Sequence, residues 1–554
     1  MTFYLKNSGM GSESFEVLRK TAARKFEERE LGVSEDTENA YVIELITDKS
    51  LKDDRYILSS GSDGCVLTAG NDRSLHAAFG RWLTESFADG KGGFEPYSGK
   101  MDFTPRDRLR GMYFATHFYN FYHAAPIEEV YEVIDDLALR GCNTVLVWFD
   151  MHHFTSMEDE GAVALSERLH ALIKHANLIG IGGSLTMLAN EAFAGSPTEL
   201  RAEWNAVNGY FRKPEDHFHL EICPSKPGGI EEIIRERRMM LEKFRDLKID
   251  YISYWPYDPG GCTCAECAPW GAGGFMKLYP AFRNLLSEMM PETRIIISTW
   301  YFDRFIAGEW DAFYKIIENG MPEGTDYIMS FFFGGNMPEI LKKKGIPEGV
   351  KFIDFPEISM YRCSPWGGFG ASCLPEFLEK TNEKSGALYC GGYPYSEGIF
   401  EDVNKYITLS YYSGQYMHAE DAVRAYVRTE FCVEGKALDE LTYAVISSEK
   451  SLYRTKKKPA ETLESTQFIF DDPEKIGEIY GIFSKYNAVL PEKIRTGRNF
   501  RIWYLRSVID REIRDCGGFP KRSEICQRAF EELVRIYHAI PGKTHGWVCP
   551  PIGL

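Results

Sequence analysis

Residues 251–275 read YISYWPYDPGGCTCAECAPWGAGGF. Four of the first five residues are apolar or aromatic, which is the composition of a buried β-strand. Two prolines, Pro256 and Pro259, and two glycines then turn the chain sharply, with Asp258 inside the turn. Three cysteines and Trp270 follow, so one strand end offers an acid, thiols and an aromatic ring. We expect such a combination at the carboxyl end of a strand in a barrel.

This stretch belongs to a series of apolar runs that recur with helical patterns between them. The eight runs are residues 111–115, 143–149, 181–188, 251–255, 294–300, 326–332, 351–355 and 387–393. Alternation of strand and helix implies parallel strands, and eight of them can close a (β/α)₈ TIM barrel. An open doubly wound sheet is the alternative. A further strand-like run, residues 217–223, does not fit the count and is assigned to the excursion after the third strand.

The segments on either side of the barrel pattern differ from it. Residues 1–104 combine two helical patterns with three short strand patterns, which predicts a small α/β domain. Beyond about residue 401 no strand pattern recurs and amphipathic helical patterns dominate. We therefore predict three parts: a small α/β domain (1–104), a catalytic barrel (105–415) and a C-terminal helical region (416–554).

Composition limits the possible partners and the location. The chain has 64 Lys and Arg against 81 Asp and Glu, a formal charge of −17, which argues against nucleic acid or an anionic membrane as the main partner. No secretory signal or membrane-spanning run is evident. Thirteen cysteines, several inside apolar runs, suit reduced thiols in a cytoplasmic protein. The oligomeric state cannot be read from the sequence.

Most of the expected strand ends carry both a carboxylate and an aromatic ring. Aromatic rings cover the apolar face of a sugar, and acids bind hydroxyl groups and move protons. Glycoside hydrolysis needs two such acids. We predict Asp258 as the general acid and Glu397 as the base or nucleophile. Asp150 and Glu191 either bind hydroxyl groups or replace one of that pair. The predicted sugar-binding residues are Asp150, His152, Glu191, Trp255, Trp300, Tyr301, Asp303, Tyr393 and Tyr395. A single acid at a strand end is more often a helix cap.

A family resemblance points the same way. Residues 41–87, with YVIEL, DRYILSS and GCVLTAGNDRSLHAAFGRWL, resemble the small domain that precedes the barrel in β-N-acetylhexosaminidases and α-glucuronidases. RDRLRGMYF and LALRGCNTVLVWF resemble the first two strands of their barrels. The resemblance implies an exo-acting glycosidase for a terminal N-acetylhexosamine or uronic acid in an oligosaccharide or glycoconjugate, with no organic cofactor.

The chain also departs from that family pattern. Asp258 is followed by Pro259, whereas the hexosaminidases have Asp followed directly by Glu on the fourth strand. The adjacent Asp pair of the O-GlcNAcase-like enzymes is absent too. The missing acid pair motivates an alternative of a different class, a non-catalytic glycan-binding protein on a degenerate hydrolase scaffold.

The cysteines are candidate metal ligands. Cys262, Cys264 and Cys267 supply three thiols within six residues, and Cys223 or a nearby histidine could be the fourth ligand that zinc requires. A site with four thiolates would be structural, because no coordination position stays open. The alternatives are reduced thiols in a tight turn, or a metal-dependent hydrolase or lyase that uses the cysteine loop.

Overall fold

The computed structural model describes most of the chain. The described residues are 1–117, 119–211, 219–258, 260–332, 337–359, 370–450, 453–455, 467–470, 472–519 and 523–540. Pro259 and the first two residues of the run 217–223 lie outside them.

Eight parallel strands form a closed barrel in the middle of the chain, as the sequence predicts. In chain order they are Leu109–Phe114, Thr144–Trp148, Gly182–Leu188, Ile249–Trp255, Arg294–Ser298, Thr325–Met329, Phe352–Asp354 and Tyr389–Gly392. The first strand pairs with both the second and the eighth, which closes the barrel and excludes the open sheet. A two-residue strand, Tyr395–Ser396, then continues the pairing along the first strand.

Helices connect the strands and cover the outside of the barrel. They are Phe121–Ala124, Ile127–Leu139, Glu160–Leu178, Gly229–Glu242, Gly274–Met289, Glu309–Ile317, Glu339–Lys344 and Pro375–Ser385, with Asp402–Ser413 after the eighth strand. All seven helices expected between the strands are present, with small differences at their ends. The barrel strands are buried along nearly their whole length, as expected when helices cover one face and side chains fill the other.

The N-terminal part is a small α/β domain, as predicted. Its sheet has six strands in the spatial order Gly32–Val33, Thr2–Ser8, Tyr41–Thr47, Gly64–Ala69, Tyr56–Ser60 and Gly99–Phe103. The helices are Ser12–Glu28 and Asp72–Glu85, and Phe87–Ala88 pairs antiparallel with Phe94–Glu95.

This domain packs closely on the barrel. A Cβ atom at Gly80 would lie 2.0 Å from the carbonyl oxygen of Leu139, so only glycine lets the helix Asp72–Glu85 approach so near. Arg110 of the first barrel strand donates a hydrogen bond to Asp54 of the small domain at 2.7 Å, and both side chains are buried.

The C-terminal region is helical, with one exception. Its helices are Ala419–Phe431, Gly435–Ser447, Pro473–Val489, Glu492–Thr496, Arg498–Asp515 and Glu524–Tyr537. The expectation of no strand beyond residue 401 is wrong, because Tyr453–Thr455 and Phe468–Phe470 pair antiparallel; three-residue strands are too short for a period to show. No helix in the described ranges is both long and apolar enough to cross a membrane. The boundaries at residues 104 and 415 stay predictions.

Candidate active site

Aromatic rings form the floor of a site at the carboxyl ends of the barrel strands. Trp255 and Phe355 have ring centroids 5.1 Å apart, and Tyr113 lies 5.5 Å from Phe355 and 5.4 Å from Tyr395. Trp148 of the second strand is 6.4 Å from Trp255. These rings come from five strand ends and pack as one cluster inside the barrel. They give the site an apolar base of the kind that receives the C–H face of a sugar.

Trp300 and Tyr301 extend this floor outward. The predicted strand end at residue 300 is two residues too late, because the fifth strand stops at Ser298. Trp300 therefore lies in the loop, 5.8 Å from Trp255, and stacks on Tyr301 at 4.7 Å. Both residues are partly exposed, so they lie at the rim of the aromatic floor.

Asp303 lies elsewhere. Its side chain is exposed, and Oδ1 accepts the backbone N–H of Glu309 at 2.7 Å and that of Trp310 at 3.4 Å. These are the first residues of the helix Glu309–Ile317, so the carboxylate acts as a helix cap. Sugar binding by Asp303 stays a prediction that its position does not support.

Tyr393 also faces away from the site. It is fully buried, and its hydroxyl contacts Ser184 Oγ at 2.9 Å and Thr144 Oγ1 at 3.1 Å. Thr144 begins the second strand, so the hydroxyl lies towards the amino ends of the strands. The structure places Tyr393 in the barrel core.

Glu397 follows the eighth strand, and both its side chain and its backbone make hydrogen bonds. Its Oε1 accepts a hydrogen bond from the Tyr395 hydroxyl, and its Oε2 accepts one from Asn120 Nδ2 at 2.8 Å. Its backbone N–H donates to Glu401 Oε1 at 2.7 Å, and its carbonyl oxygen accepts the Tyr537 hydroxyl at 2.9 Å. Burial raises the pKa of Glu397 to about 8, although the bonds from Tyr395 and Asn120 lower it. A carboxyl group of this kind can carry a proton at neutral pH.

Three carboxylates act together on one hydroxyl group. Burial raises the pKa of Tyr113 well above its usual value, and the charges of Asp258, Glu397 and Asp150 raise it further. The tyrosine hydroxyl also lies 3.0 Å from His117 Nδ1. Asp258 is partly exposed, whereas Glu397 and Asp150 are buried. Both members of the predicted catalytic pair thus act electrostatically on Tyr113.

Glu357, which follows the seventh strand, is a further acid whose charge acts on Glu397. Its charge contributes to the raised pKa values of Glu397 and Tyr395. It is partly exposed, and Oε1 accepts the backbone N–H of Ser359 at 2.8 Å. A ligand in the barrel mouth can therefore reach Glu357 more easily than the buried Glu397.

Asp150, His152 and Glu191 form a charged wall on the other side. His152 Nδ1 lies 2.5 Å from Asp150 Oδ1 and 3.2 Å from Glu191 Oε1. Burial lowers the pKa of His152, but the hydrogen bonds to the two carboxylates outweigh burial and raise the pKa to about 10. The three residues predicted from two separate strand ends are thus in direct contact.

The four cysteines converge as a group. Cys223 Sγ lies 3.8 Å from both Cys264 Sγ and Cys267 Sγ, and all four sulfur atoms, including that of Cys262, lie within 4.8 Å of one another. A tetrahedral zinc site with Zn–S bonds of about 2.3 Å has sulfur atoms about 3.8 Å apart, so the spacing fits such an ion. The cluster is a candidate metal site, and an ion there would fix the loop after the fourth strand to the segment that carries Cys223.

Glu309 anchors the same loop from the opposite side. Its Oε1 accepts the Tyr257 hydroxyl at 2.7 Å and the Gly271 N–H at 2.6 Å, and its Oε2 accepts the Asp303 N–H at 2.9 Å. This fully buried carboxylate therefore ties the loop that carries Asp258 to the loop that carries Trp300. Burial raises the pKa of Glu309 to about 7 against these three bonds.

Sequence reasoning missed several members of the site. Tyr113 was counted only as part of an apolar strand, although alternate residues of a barrel strand face inward. Asn120, which bonds Glu397, lies in a loop that gave no motif. Glu309 is distant in sequence from Tyr257 and Gly271, so no local pattern could have revealed the contact.

No protein-family model matches the sequence, and a search of curated proteins finds no match. A family 89 glycoside hydrolase from Clostridium perfringens, bound to 2-acetamido-1,2-dideoxynojirmycin, has a TM-score of 0.60 at 13% identity. The match covers 94% of this chain and 66% of the enzyme, so this chain spans slightly less than two thirds of its length.

Two further solved structures share the architecture. A family 20 β-N-acetylhexosaminidase from Streptomyces coelicolor has a TM-score of 0.52 at 12% identity, covering 78% of this chain and 92% of that one. A family 115 4-O-methyl-α-glucuronidase with specificity for decorated arabinogalactans has a TM-score of 0.56 at 10% identity, covering 97% of this chain and 76% of that one. The similar structures are glycoside hydrolases, and the resemblance seen in the sequence is confirmed for the fold.

Proposed function

We propose that the protein is an exo-acting glycoside hydrolase that removes a terminal sugar from an oligosaccharide or glycoconjugate. The convergence of the Asp258, Glu397 and Asp150 carboxylates around Tyr113, above a floor of aromatic rings, carries this proposal. Acids at the mouth of an apolar pocket are what hydrolysis of a glycosidic bond requires. The similar solved structures are enzymes of this class, which supports the proposal.

In the proposed mechanism Asp258 and Glu397 are the reacting pair, with roles exchanged relative to the expectation from sequence. Glu397, whose pKa is about 8, holds a proton at neutral pH and is suited to donate it to the leaving oxygen. Asp258, which is the more exposed, acts as the ionised carboxylate. Trp255, Trp300 and Tyr301 hold the sugar ring by stacking.

Glu357 is the second candidate for the role of Glu397. Glu397 is 1% exposed and both of its carboxylate oxygens accept hydrogen bonds, so a substrate must displace one of these bonds to reach it. Glu357 is partly exposed, so a substrate in the barrel mouth reaches it more directly. If Glu357 reacts, Glu397 serves to position Tyr395.

The proposed substrates carry a terminal N-acetylhexosamine or uronic acid. Two of the similar structures are named for N-acetylhexosaminidase or glucuronidase activity, and a third holds an N-acetylated sugar analogue. No organic cofactor is needed for acid and base chemistry at carboxylates.

We propose that zinc occupies the cysteine cluster and has a structural role. Four thiols at the spacing of a tetrahedral site leave no open position for a substrate, so the cluster does not support metal-dependent hydrolase or lyase chemistry. The reduced thiols that such a site requires suit the cytoplasmic location expected from the sequence.

The function is tested by a panel of aryl α- and β-glycosides of N-acetylglucosamine, N-acetylgalactosamine and glucuronic acid, together with cut oligosaccharides. We expect release of one terminal sugar. Sugar binding in calorimetry with no release over long incubations would favour the non-catalytic glycan-binding protein instead.

A further inference from the structure

We propose that Asp150, His152, Glu191 and His219 form a binding site for a divalent cation at the carboxyl ends of the second and third barrel strands. Each of the four side chains offers one ligand atom, and these atoms all lie within 4.8 Å of one another. The site shares no residue with the cysteine cluster.

The spacing of the ligand atoms fits a metal ion with little rearrangement. Metal–nitrogen and metal–oxygen bonds of about 2.0–2.2 Å put neighbouring ligands about 3.0–3.5 Å apart in octahedral or tetrahedral geometry. Glu191 Oε1 lies 3.2 Å from His152 Nδ1 and 3.7 Å from His219 Nδ1. Asp150 Oδ1 lies 2.5 Å from His152 Nδ1, so this pair must move apart to admit an ion.

The cluster is built on a rigid support. The buried guanidinium of Arg237 donates to the carbonyl oxygens of Leu188 and Glu191 at 2.6 Å and 2.8 Å, which fixes the turn after the third strand. The backbone N–H of Met151 donates to Glu191 Oε1 at 2.9 Å. An antiparallel β-bridge between the backbones of Glu191 and Glu221 holds the segment that carries His219 against this turn. Preorganised ligands of this kind favour metal binding because little entropy is lost.

The donor set selects the kind of cation. Two imidazole nitrogens and two carboxylate oxygens suit first-row ions such as Mn²⁺, Co²⁺ and Zn²⁺, whereas thiolates select softer ions. The side chains of Asp150, Glu191 and His219 are 5%, 1% and 4% exposed, and that of His152 is 13% exposed. Four protein ligands leave two positions of an octahedral shell open.

The location suggests what would fill the open positions. The ring of His219 stacks on that of Trp148 at 6.1 Å, so the cluster borders the aromatic floor. Resting on the proposed function, the cation would bind oxygen atoms of the sugar, such as two neighbouring hydroxyls or a carboxylate. Asp150 and Glu191 would then hold the substrate through the ion.

Titration of the protein with Mn²⁺, monitored by electron paramagnetic resonance, tests the site. Mn²⁺ binds thiolates poorly, so the titration does not report on the cysteine cluster. The protein is first dialysed against a chelator at neutral pH, and its melting temperature is recorded. We expect about one Mn²⁺ per chain and at least about tenfold weaker binding in Glu191→Gln and His219→Ala. His170→Ala, at a partly exposed histidine that pairs with Asp246, is the control and should bind as wild type does.

Two results would overturn the proposal. One is that the wild-type protein binds no Mn²⁺, Co²⁺ or Zn²⁺ apart from an ion in the cysteine cluster. The four side chains are then held together by hydrogen bonds alone, with His152 as an imidazolium between two carboxylates. The other is unchanged affinity in both variants. The wild-type titration decides the question even if a variant does not fold. Because it needs no substrate, its failure is distinct from a failure to find glycosidase activity.

Discussion

Replacing Glu309 with glutamine is expected to loosen both loops that carry the proposed sugar pocket. The carboxylate accepts the Tyr257 hydroxyl, the Gly271 N–H and the Asp303 N–H. Glutamine keeps one acceptor oxygen and puts an NH₂ group in place of the other, so at least one buried donor loses its partner.

The size of the effect follows from these bonds. A buried donor without a partner costs about 1–3 kcal/mol, and the remaining bonds weaken when the acceptor is neutral. Burial of the charged carboxylate is itself unfavourable, as its pKa of about 7 shows, so removal of the charge offsets part of the loss. We expect a net destabilisation of about 1–3 kcal/mol. Tyr257 directly precedes Asp258, and a shift of about 1 Å in a reacting group can cost about 100-fold in rate. Turnover should therefore fall by about ten- to hundredfold.

The assay combines turnover with melting temperature as a function of pH. The pKa of Glu309 is about 7 in the folded protein against 4.5 for a free side chain, so the folded state binds the extra proton between these values. The contribution of Glu309 to the stability of the wild type is therefore complete below pH 4.5 and is lost as the pH rises through about 7. The melting temperature of the variant should lack this dependence on pH. Asp311→Asn, an exposed change on the same helix, is the control. Wild-type turnover and melting temperature in Glu309→Gln would refute the reasoning.

Three further predictions address other parts of the structure. The wild-type protein should contain close to one zinc ion per chain. Cys262→Ser combined with Cys264→Ser should remove this zinc, lower the melting temperature and reduce turnover, whereas Cys516→Ser should do none of these. A wild-type protein without zinc would contradict the account. Tyr393→Phe should destabilise the protein by about 0.5–1.5 kcal/mol through lost hydroxyl bonds with unchanged KM, and a raised KM would instead put Tyr393 in the pocket. Turnover should fall as the pH rises through about 8, where Glu397 loses its proton, and Glu397→Gln should lack this limb of the profile; an identical limb in the variant would assign it to another group. 

The fold could be predicted well because it depends on repetition. Eight apolar runs alternate with helical patterns, and each run overlaps a barrel strand in the structure. The strand ends were less certain. The run at 294–300 was extended past Ser298, where the strand ends in the structure, because Thr299 and Trp300 are residue types that strands favour. The short pair Tyr453–Thr455 and Phe468–Phe470 was missed for lack of length.

The site was predicted in part, since strand ends gather in a barrel whatever their distance in sequence. That rule brought together Asp150, His152 and Glu191, which the structure places in contact. It could not tell which way a side chain points, so Tyr393 was assigned to the pocket although its hydroxyl lies in the core. Nor could it show that Asp303 caps a helix six residues further along.

The central claim is that carboxylates at the barrel mouth hydrolyse a glycosidic bond, and kcat/KM of Asp258→Asn on the best substrate of the panel tests it most directly. The substitution keeps the shape of the side chain and removes its charge. The account predicts a fall of about 100-fold or more, with the variant still folded and still binding the sugar. A variant with the kcat/KM of wild type would contradict it.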